Sequence, residues 1–286
     1  MYQRERVETP DNDFLDLDWV KTGSKKLVII CHGLEGSSHS TSVASMAAYL
    51  SGHGFDALVL NFRSCSGEMN RQLRFYHSGE TGDLGWLVNR VLASGNYESI
   101  HFVGFSLGGN VLLKYLGEQG ASISGLAKSA VVFSAPVDLE SSAFYMNRPG
   151  AMIYLNNFLR SLKKKVILKS QLMPGKLSVE GLDEVKTFHD FDNRYTGPMH
   201  GFIDAHDYYS KSSSIHFLKD IRIPTLLVNA ANDPFLPKEC YPIEIARGHE
   251  HLSLEMPSSG GHVGFFEGHL KRPFWSERRA LEFLLG

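Results

Sequence analysis

Apolar residues in this chain first alternate with polar ones and then gather into short runs. In "FLDLDWV", Leu15, Leu17 and Trp19 alternate with Asp16 and Asp18, the period-two pattern of a strand with one wet face. Turn residues in "PDND" separate it from "RERVET", so the spacing predicts an opening antiparallel hairpin. From Lys26 the pattern changes. "KLVIIC" is continuously apolar, as in a strand covered on both faces, and "TSVASMAAYLSGHG" spaces Val43, Met46, Ala47 and Leu50 as a helix closed by Gly52 or Gly54. The alternation repeats: "DALVLNF" reads as strand, "GETGDLGWLVNRVLAS" as helix, "SIHFVGF" as strand, "NVLLKYLGEQG" as helix and "LAKSAVVFSAP" as strand. After a gap come "PTLLVNA", a polar interval long enough for a helix, "HLSLEMP" and a final helix "WSERRALEFLL". Strands alternating with helices predict a mostly parallel sheet with helices on both faces, an α/β fold.

The gap is the segment 137–223. In "MIYLNNFLRSLKKKVILK", Leu155, Phe158, Leu159, Leu162 and Val166 recur at helical spacing. A structureless loop of that length is foreign to a compact domain. We therefore expect a core made of 1–136 and 224–286, with 137–223 inserted as a mainly helical cap over the sheet's C-terminal edge.

Composition narrows the class without choosing a function. The 286 residues are 43% hydrophobic and 21% charged, with a formal net charge of −2, which excludes a disordered chain and gives no footprint for nucleic acid. Cys31, Cys65 and Cys240 are an odd number without CxxC spacing, so reduced thiols are expected. The polar N-terminus and the lack of a long apolar run predict no signal sequence, no stable membrane insertion and a cytoplasmic location.

Chemistry enters with "GFSLGGN". A G-x-S-x-G match arises by chance in roughly a quarter of chains this long, so its setting must decide. Here it lies where an apolar strand ends and a helix begins, as a nucleophile elbow requires, which makes Ser106 the candidate nucleophile between Gly104 and Gly108. A serine hydroxyl needs a base and an orienting acid. In the order Ser, acid, His, the chain offers Asp233 beyond "TLLVNA" and His262 after the last strand; Asp138, after the preceding strand, is the rival acid. Backbone N–H groups of Leu107 and of Leu34, in the loop "HGLEGSSHS", are the expected oxyanion donors. His32 in that loop reads as a structural group. A metal site on His32, His39 and His262 would lack the usual H-E-x-x-H pattern, so neither metal nor cofactor is expected.

With these residues in place, the chain resembles the α/β-hydrolases, and within them the YheT-type branch. The matching stretches are "HGLEGSSHS", "NFRSCSGE", "YHSGETGDL", "GFSLGGN", "HGFIDAHDYY", "IRIPTLLVNAANDPF" and "SSGGHVGF". The resemblance implies an enzyme acting on small carboxylic esters, with Ser106, Asp233 and His262 as its triad and the "HGL" and "SLG" segments as its oxyanion hole. One departure is Ser64, where the family motif has glycine. Alternatives sharing the triad are an acyltransferase and a lipid or phospholipid acyl hydrolase; a peptidase lacks a charged specificity pocket in the sequence. A non-catalytic ligand-binding homologue is the alternative of another class.

Three further features carry weaker expectations. Arg160, Lys163, Lys164, Lys165 and Lys169 read as a solvated helix face rather than a membrane-binding one. Tyr154, Phe158, Phe202, Tyr208 and Tyr209 either line an acyl pocket or form the cap's own core. Ser78 in "HSGETGDL" reads as a helix N-cap, with Glu80 and Asp83 at the positive end of the dipole, or the stretch ties "NFRSCSGE" to the site.

Overall fold

The hairpin opens the fold: β1 (Gln3–Glu8) and β2 (Phe14–Val20) pair antiparallel, with Val7 opposite Leu15 and Glu5 opposite Leu17. This is a computed structural model, and it describes residues 2–265 and 273–286. The remaining strands are β3 (Lys26–Cys31), β4 (Asp56–Asn61), β5 (Ser99–Phe105), β6 (Ala127–Phe133), β7 (Thr225–Val228) and β8 (Leu252–Glu255). Among the described residues they form one sheet in the order β1-β2-β4-β3-β5-β6-β7-β8. Strands β3 to β8 run parallel, and β2 meets β4 antiparallel.

Alternation within the strands feeds two cores. Leu27, Ile29, Leu58 and Leu60 face one side, packed under helices α2 (Gly82–Ser94) and α3 (Leu107–Gln119). Val28, Ile30, Ala57 and Val59 face the other, under α1 (Thr41–Ser51) and the C-terminal helix Trp275–Leu285. Each fully buried aliphatic side chain is worth about 1.5–3 kcal/mol relative to exposure, so covering both faces provides the main stabilisation of the sheet. All four periodic residues predicted for α1 are buried.

Two expectations need correction. The face of β2 carrying Asp16 and Asp18 is not wet: both carboxylates are buried, because the register sets Arg6 opposite Asp16 and Arg4 opposite Asp18. Each arginine makes a paired contact, Arg6 at 2.8 Å and Arg4 at 2.7–2.8 Å. Alternation reports polarity, and here arginines rather than water satisfy it. Between β7 and β8 the polar interval holds only a 3₁₀ turn (Lys238–Cys240) and a short helix (Ile243–Arg247). Pro234, Pro237 and Pro242 restrict the chain there.

The segment between β6 and β7 carries α4 (Leu139–Tyr145), α5 (Met152–Leu172), one-turn helix Phe188–Phe191 and helix Ala205–Ser212, with no strand among its residues. Leu155, Leu159 and Val166 of α5 are buried, and Phe158 and Leu162 pack against the same core.

Candidate active site

Ser106 sits between β5 and α3 at φ 51°, ψ −120°, a backbone conformation costly for any residue with a side chain. The surrounding glycines explain how the turn is held. A methyl group on Gly108 would lie 2.3 Å from the His32 carbonyl oxygen and 2.6 Å from that of Cys31, and one on Gly104 would lie 2.7 Å from Gly109 Cα. Only bare backbone lets β3, β5 and α3 approach this closely. Asn110, on the first turn of α3, donates to the carbonyls of Ser78 and Ser212 and accepts from Ser214 N–H, fixing the elbow to two other segments.

Of the residues singled out after the serine, Asp233 and His262 are brought together with it. His262 Nε2 lies 2.9 Å from Ser106 Oγ, and His262 Nδ1 lies 2.9 Å from Asp233 Oδ2 and 3.1 Å from Oδ1. The Asp233 side chain is wholly buried, whereas His262 is 12% exposed. Asp233 also accepts from Phe235 N–H, and the Phe235 ring lies 4.1 Å from the imidazole. Asp138 does not join this line. It is the N-cap of α4, its carboxylate accepting from Ser141 N–H. Asn232, passed over in the sequence, accepts from the N–H groups of Gly260 and Gly261 and so positions the loop that carries His262. Its only sequence signal is its place beside Asp233.

The loop after β3 supplies the opposite wall. Leu34 and Leu107 both border the pocket containing Ser106, and among the described residues no acceptor takes either N–H. His32 is fully buried; its Nδ1 lies 2.8 Å from the Gly33 carbonyl and its Nε2 accepts from Phe62 N–H at 3.0 Å. A proton on Nδ1 satisfies both contacts, and burial lowers the imidazole pKa to about 4, so the ring is neutral. Because carbonyl and N–H of one peptide point in opposite directions, anchoring Gly33 C=O aims Leu34 N–H the other way. His32, His39 and His262 do not converge: His39 stacks edge-on against Tyr2 instead.

The pocket encloses about 1050 Å³ between protein atoms, mouth included, and its walls come from both the strand ends and the segment 137–223. Phe158, Tyr208 and Tyr209 line it. Tyr154 and Phe202 do not: Tyr154 is exposed and packs its ring against Phe235, while Phe202 lies behind the wall against His77 and Tyr208. The basic face also divides. Arg160 and Lys164 are exposed, but Lys165 ion-pairs with Glu35 at 2.7 Å and Lys169 is buried, donating to Asn70 and Gln72. Both inward lysines continue the apolar stripe, three residues after Leu162 and Val166, a signal that the charge obscured. Glu35, unmarked by the sequence, also accepts from Tyr76 and Ser161 at the pocket wall.

Ser78 is no N-cap, since Thr81 precedes α2; its N–H donates to Tyr208 Oη. Asp83 does lie in the first turn of α2, and it also takes a two-point contact from Arg63 of "NFRSCSGE" at 2.7 Å. Ser64 keeps φ at 63°, and its hydroxyl accepts from Asn70 N–H and donates to Asn70 Oδ1, local bonds that offset the left-handed conformation. Cys31 and Cys240 are buried, Cys65 partly so, and all three are unpaired.

Comparison with known proteins agrees with this architecture. A family model described as the alpha/beta hydrolase fold matches residues 26–269. The chain is 34% identical to "Putative esterase YheT" of Escherichia coli, over 98% of this chain and 84% of that protein. It is 29% identical to "Phospholipase ABHD3" of Homo sapiens, covering 93% of this chain and 67% of the relative. The figure is 30% for "Monoacylglycerol lipase" of Saccharomyces cerevisiae, over 94% and 60%. In fold, an esterase of Pyrococcus furiosus superposes with a TM-score of 0.67 at 19% identity, over 100% of this chain and 92% of the other. By its strand order, its serine elbow and these matches, the chain belongs to the α/β-hydrolase family, in its YheT-type branch.

Proposed function

We propose that this protein hydrolyses carboxylic esters through an acyl-enzyme on Ser106. The observation that carries the reading is the continuous line from the buried Asp233 carboxylate through His262 to Ser106 Oγ, ending in a pocket with apolar walls. His262 removes the hydroxyl proton as Ser106 attacks the acyl carbon, then returns it to the departing alcohol; Asp233 keeps Nδ1 protonated and stabilises the imidazolium. The tetrahedral oxygen takes the N–H groups of Leu34 and Leu107. Donors of this kind are worth about 2.7–4 kcal/mol each. Water admitted after the alcohol leaves is activated by the same histidine and frees the acid.

In this reading 137–223 is a cap that shapes the acyl or alcohol pocket over a core of 1–136 and 224–286. Among the described residues no helix is long and apolar enough to cross a membrane, and three unpaired cysteines suit a reducing, cytoplasmic setting. The relatives named as a phospholipase and a monoacylglycerol lipase favour lipid esters as the second reading within the same chemistry. A fluorophosphonate probe tests the nucleophile. Wild type is expected to label and Ser106→Ala not to; equal labelling of the two would remove Ser106 from the mechanism.

A further inference from the structure

The pocket is lined by a partly buried carboxylate that ester hydrolysis does not use and that, among the described residues, no cation pairs with. Asp192 borders the same cavity as Ser106 and belongs to a π-helical turn, Asp192–Thr196, a rare geometry often found at functional positions. Its oxygens accept one hydroxyl each, from Thr196 at 2.6 Å and Tyr209 at 2.8 Å. Among the described residues no Lys, Arg or His nitrogen pairs with it; His189 acts on it only at longer range. Asp13 shows what a fully satisfied buried carboxylate looks like in this protein. It accepts from the backbone N–H groups of Phe14, Arg71 and Gln72 and from the side chains of Arg63 and Asn70. A carboxylate offers about four lone-pair sites, so Asp192 retains unfilled capacity where desolvation is expensive. Burial raises its pKa to about 6, which leaves it ionised at neutral pH.

A second acceptor stands on the same wall. His200 also borders the pocket, and its Nδ1 donates to the Thr196 carbonyl at 2.7 Å. Its Nε2, which then carries the lone pair, is buried without a hydrogen-bond partner, and the Phe75 carbonyl nearby lies outside bonding geometry. Two independent acceptors, one of them charged, therefore stand in a lining that also holds the apolar Phe188, Phe191 and Met199 and, already paired with each other, Glu35 and Lys165. A tie between the π-turn and helix Ala205–Ser212 would need only a neutral side chain at position 192; an ionised one is a cost without a ligand group to meet it.

We propose that the capped end of the pocket recognises a hydrogen-bond donor on the substrate, a hydroxyl or an ammonium group, which binds Asp192 with His200 beside it. This deepens the ester-hydrolase reading and rests on it. The enzyme then prefers esters carrying a donor at a fixed distance from the reacting carbonyl over wholly apolar esters of the same shape. Aromatic rings beside the carboxylate also suit an ammonium group, through attraction to the π-faces.

Two matched ester series test this, one varying the acyl end and one the alcohol end, with a terminal methyl, hydroxyl or ammonium group on chains of equal length. In one series or both, wild-type kcat/KM is expected to favour a donor-bearing member by about ten- to hundred-fold, the range of a hydrogen bond to a charged group. Asp192→Asn, which keeps the shape, is expected to erase that ratio while leaving turnover of the methyl member within a few-fold. The larger response, to hydroxyl or to ammonium, identifies which donor the site takes. No wild-type preference in either series overturns the proposal without any variant having to fold. A loss that is equal for all three members also overturns it, by showing that Asp192 only holds the wall. Calorimetric binding of the free hydroxyl-, ammonium- and methyl-terminated alcohols and acids reads the same site without turnover. Absent hydrolysis and fluorophosphonate labelling would sink the serine reading, whereas absent donor discrimination in binding would sink this one.

Discussion

Two buried polar clusters lie beyond the C-terminal ends of the strands, and they differ in one respect that matters. Around Arg63, after β4, all five guanidinium N–H donors are occupied: Nε and Nη2 by Asp83, Nη1 by Asp11 and Asp13, and Nη2 again by Asp11. Around His262, after β8, the chain of contacts runs from Asp233 through the imidazole and stops at a hydroxyl facing the pocket. The first cluster has the more charges, with the Arg63 and Asp13 side chains fully buried. A closed network has no atom left for a substrate, so it rigidifies the fold, while the open one has an end that can react. Perturbed or buried charge alone would have pointed to the wrong cluster.

The sharpest way to break this contrast is through the two acids. Asp233→Asn is expected to lower kcat by about 10⁴-fold, because the amide favours the wrong imidazole tautomer. Asp138→Asn keeps an N-cap acceptor in its amide oxygen and is expected to leave kcat nearly unchanged; a larger loss there in ester turnover would move the acid to Asp138. Next comes Arg63→Met, which strands Asp13 and Asp83 without their cation. It is expected to lower unfolding free energy by about 3–5 kcal/mol, measured by urea denaturation, while the folded fraction keeps its specific activity. Equal loss of activity per folded molecule would mean the closed cluster takes part in the chemistry after all.

A smaller effect concerns His32. His32 is held neutral, its pKa depressed to about 4 by burial, against about 6.5 in an unfolded chain. The native state therefore binds fewer protons, and the stability His32 contributes is complete above pH 6.5 and is lost as pH falls toward 4. The span is at most about 3.5 kcal/mol, from about 1.4 kcal/mol per pKa unit. Denaturation midpoints across that window should lose most of this slope in His32→Gln; an unchanged slope would assign the acid sensitivity to other groups.

The strands, the hairpin and the line Ser106, Asp233, His262 were legible because each rests on local order: a period of two or 3.6, a glycine spacing, a position just past an apolar run. The pocket wall was not. Phe202 and Tyr154 belong to the same aromatic-rich segment as Tyr208 and Phe158, and only packing decides which rings face the cavity. Glu35 gave no signal, since its meaning comes from partners far along the chain, such as Lys165, which is 130 residues away, and Asp192 gave none because nothing in its spacing marks which side of the wall it faces. Lys165 and Lys169 were read by their charge when their spacing already assigned them to the buried face. Ser78 failed as a cap because tertiary contact with Tyr208 outweighed a local preference.

The φ of 51° at Ser106 also makes this turn a place where selection for activity and selection for persistence pull apart. Left-handed backbone at a residue with a Cβ costs on the order of 1–3 kcal/mol, and glycine would relieve it at an entropic cost of roughly 0.5–1 kcal/mol. Ser106→Gly should therefore unfold at a slightly higher urea concentration than wild type while losing its turnover. Random mutagenesis screened only for thermal resistance would drift toward that dead enzyme, so stabilising variants of this protein have to be selected with activity as a second condition.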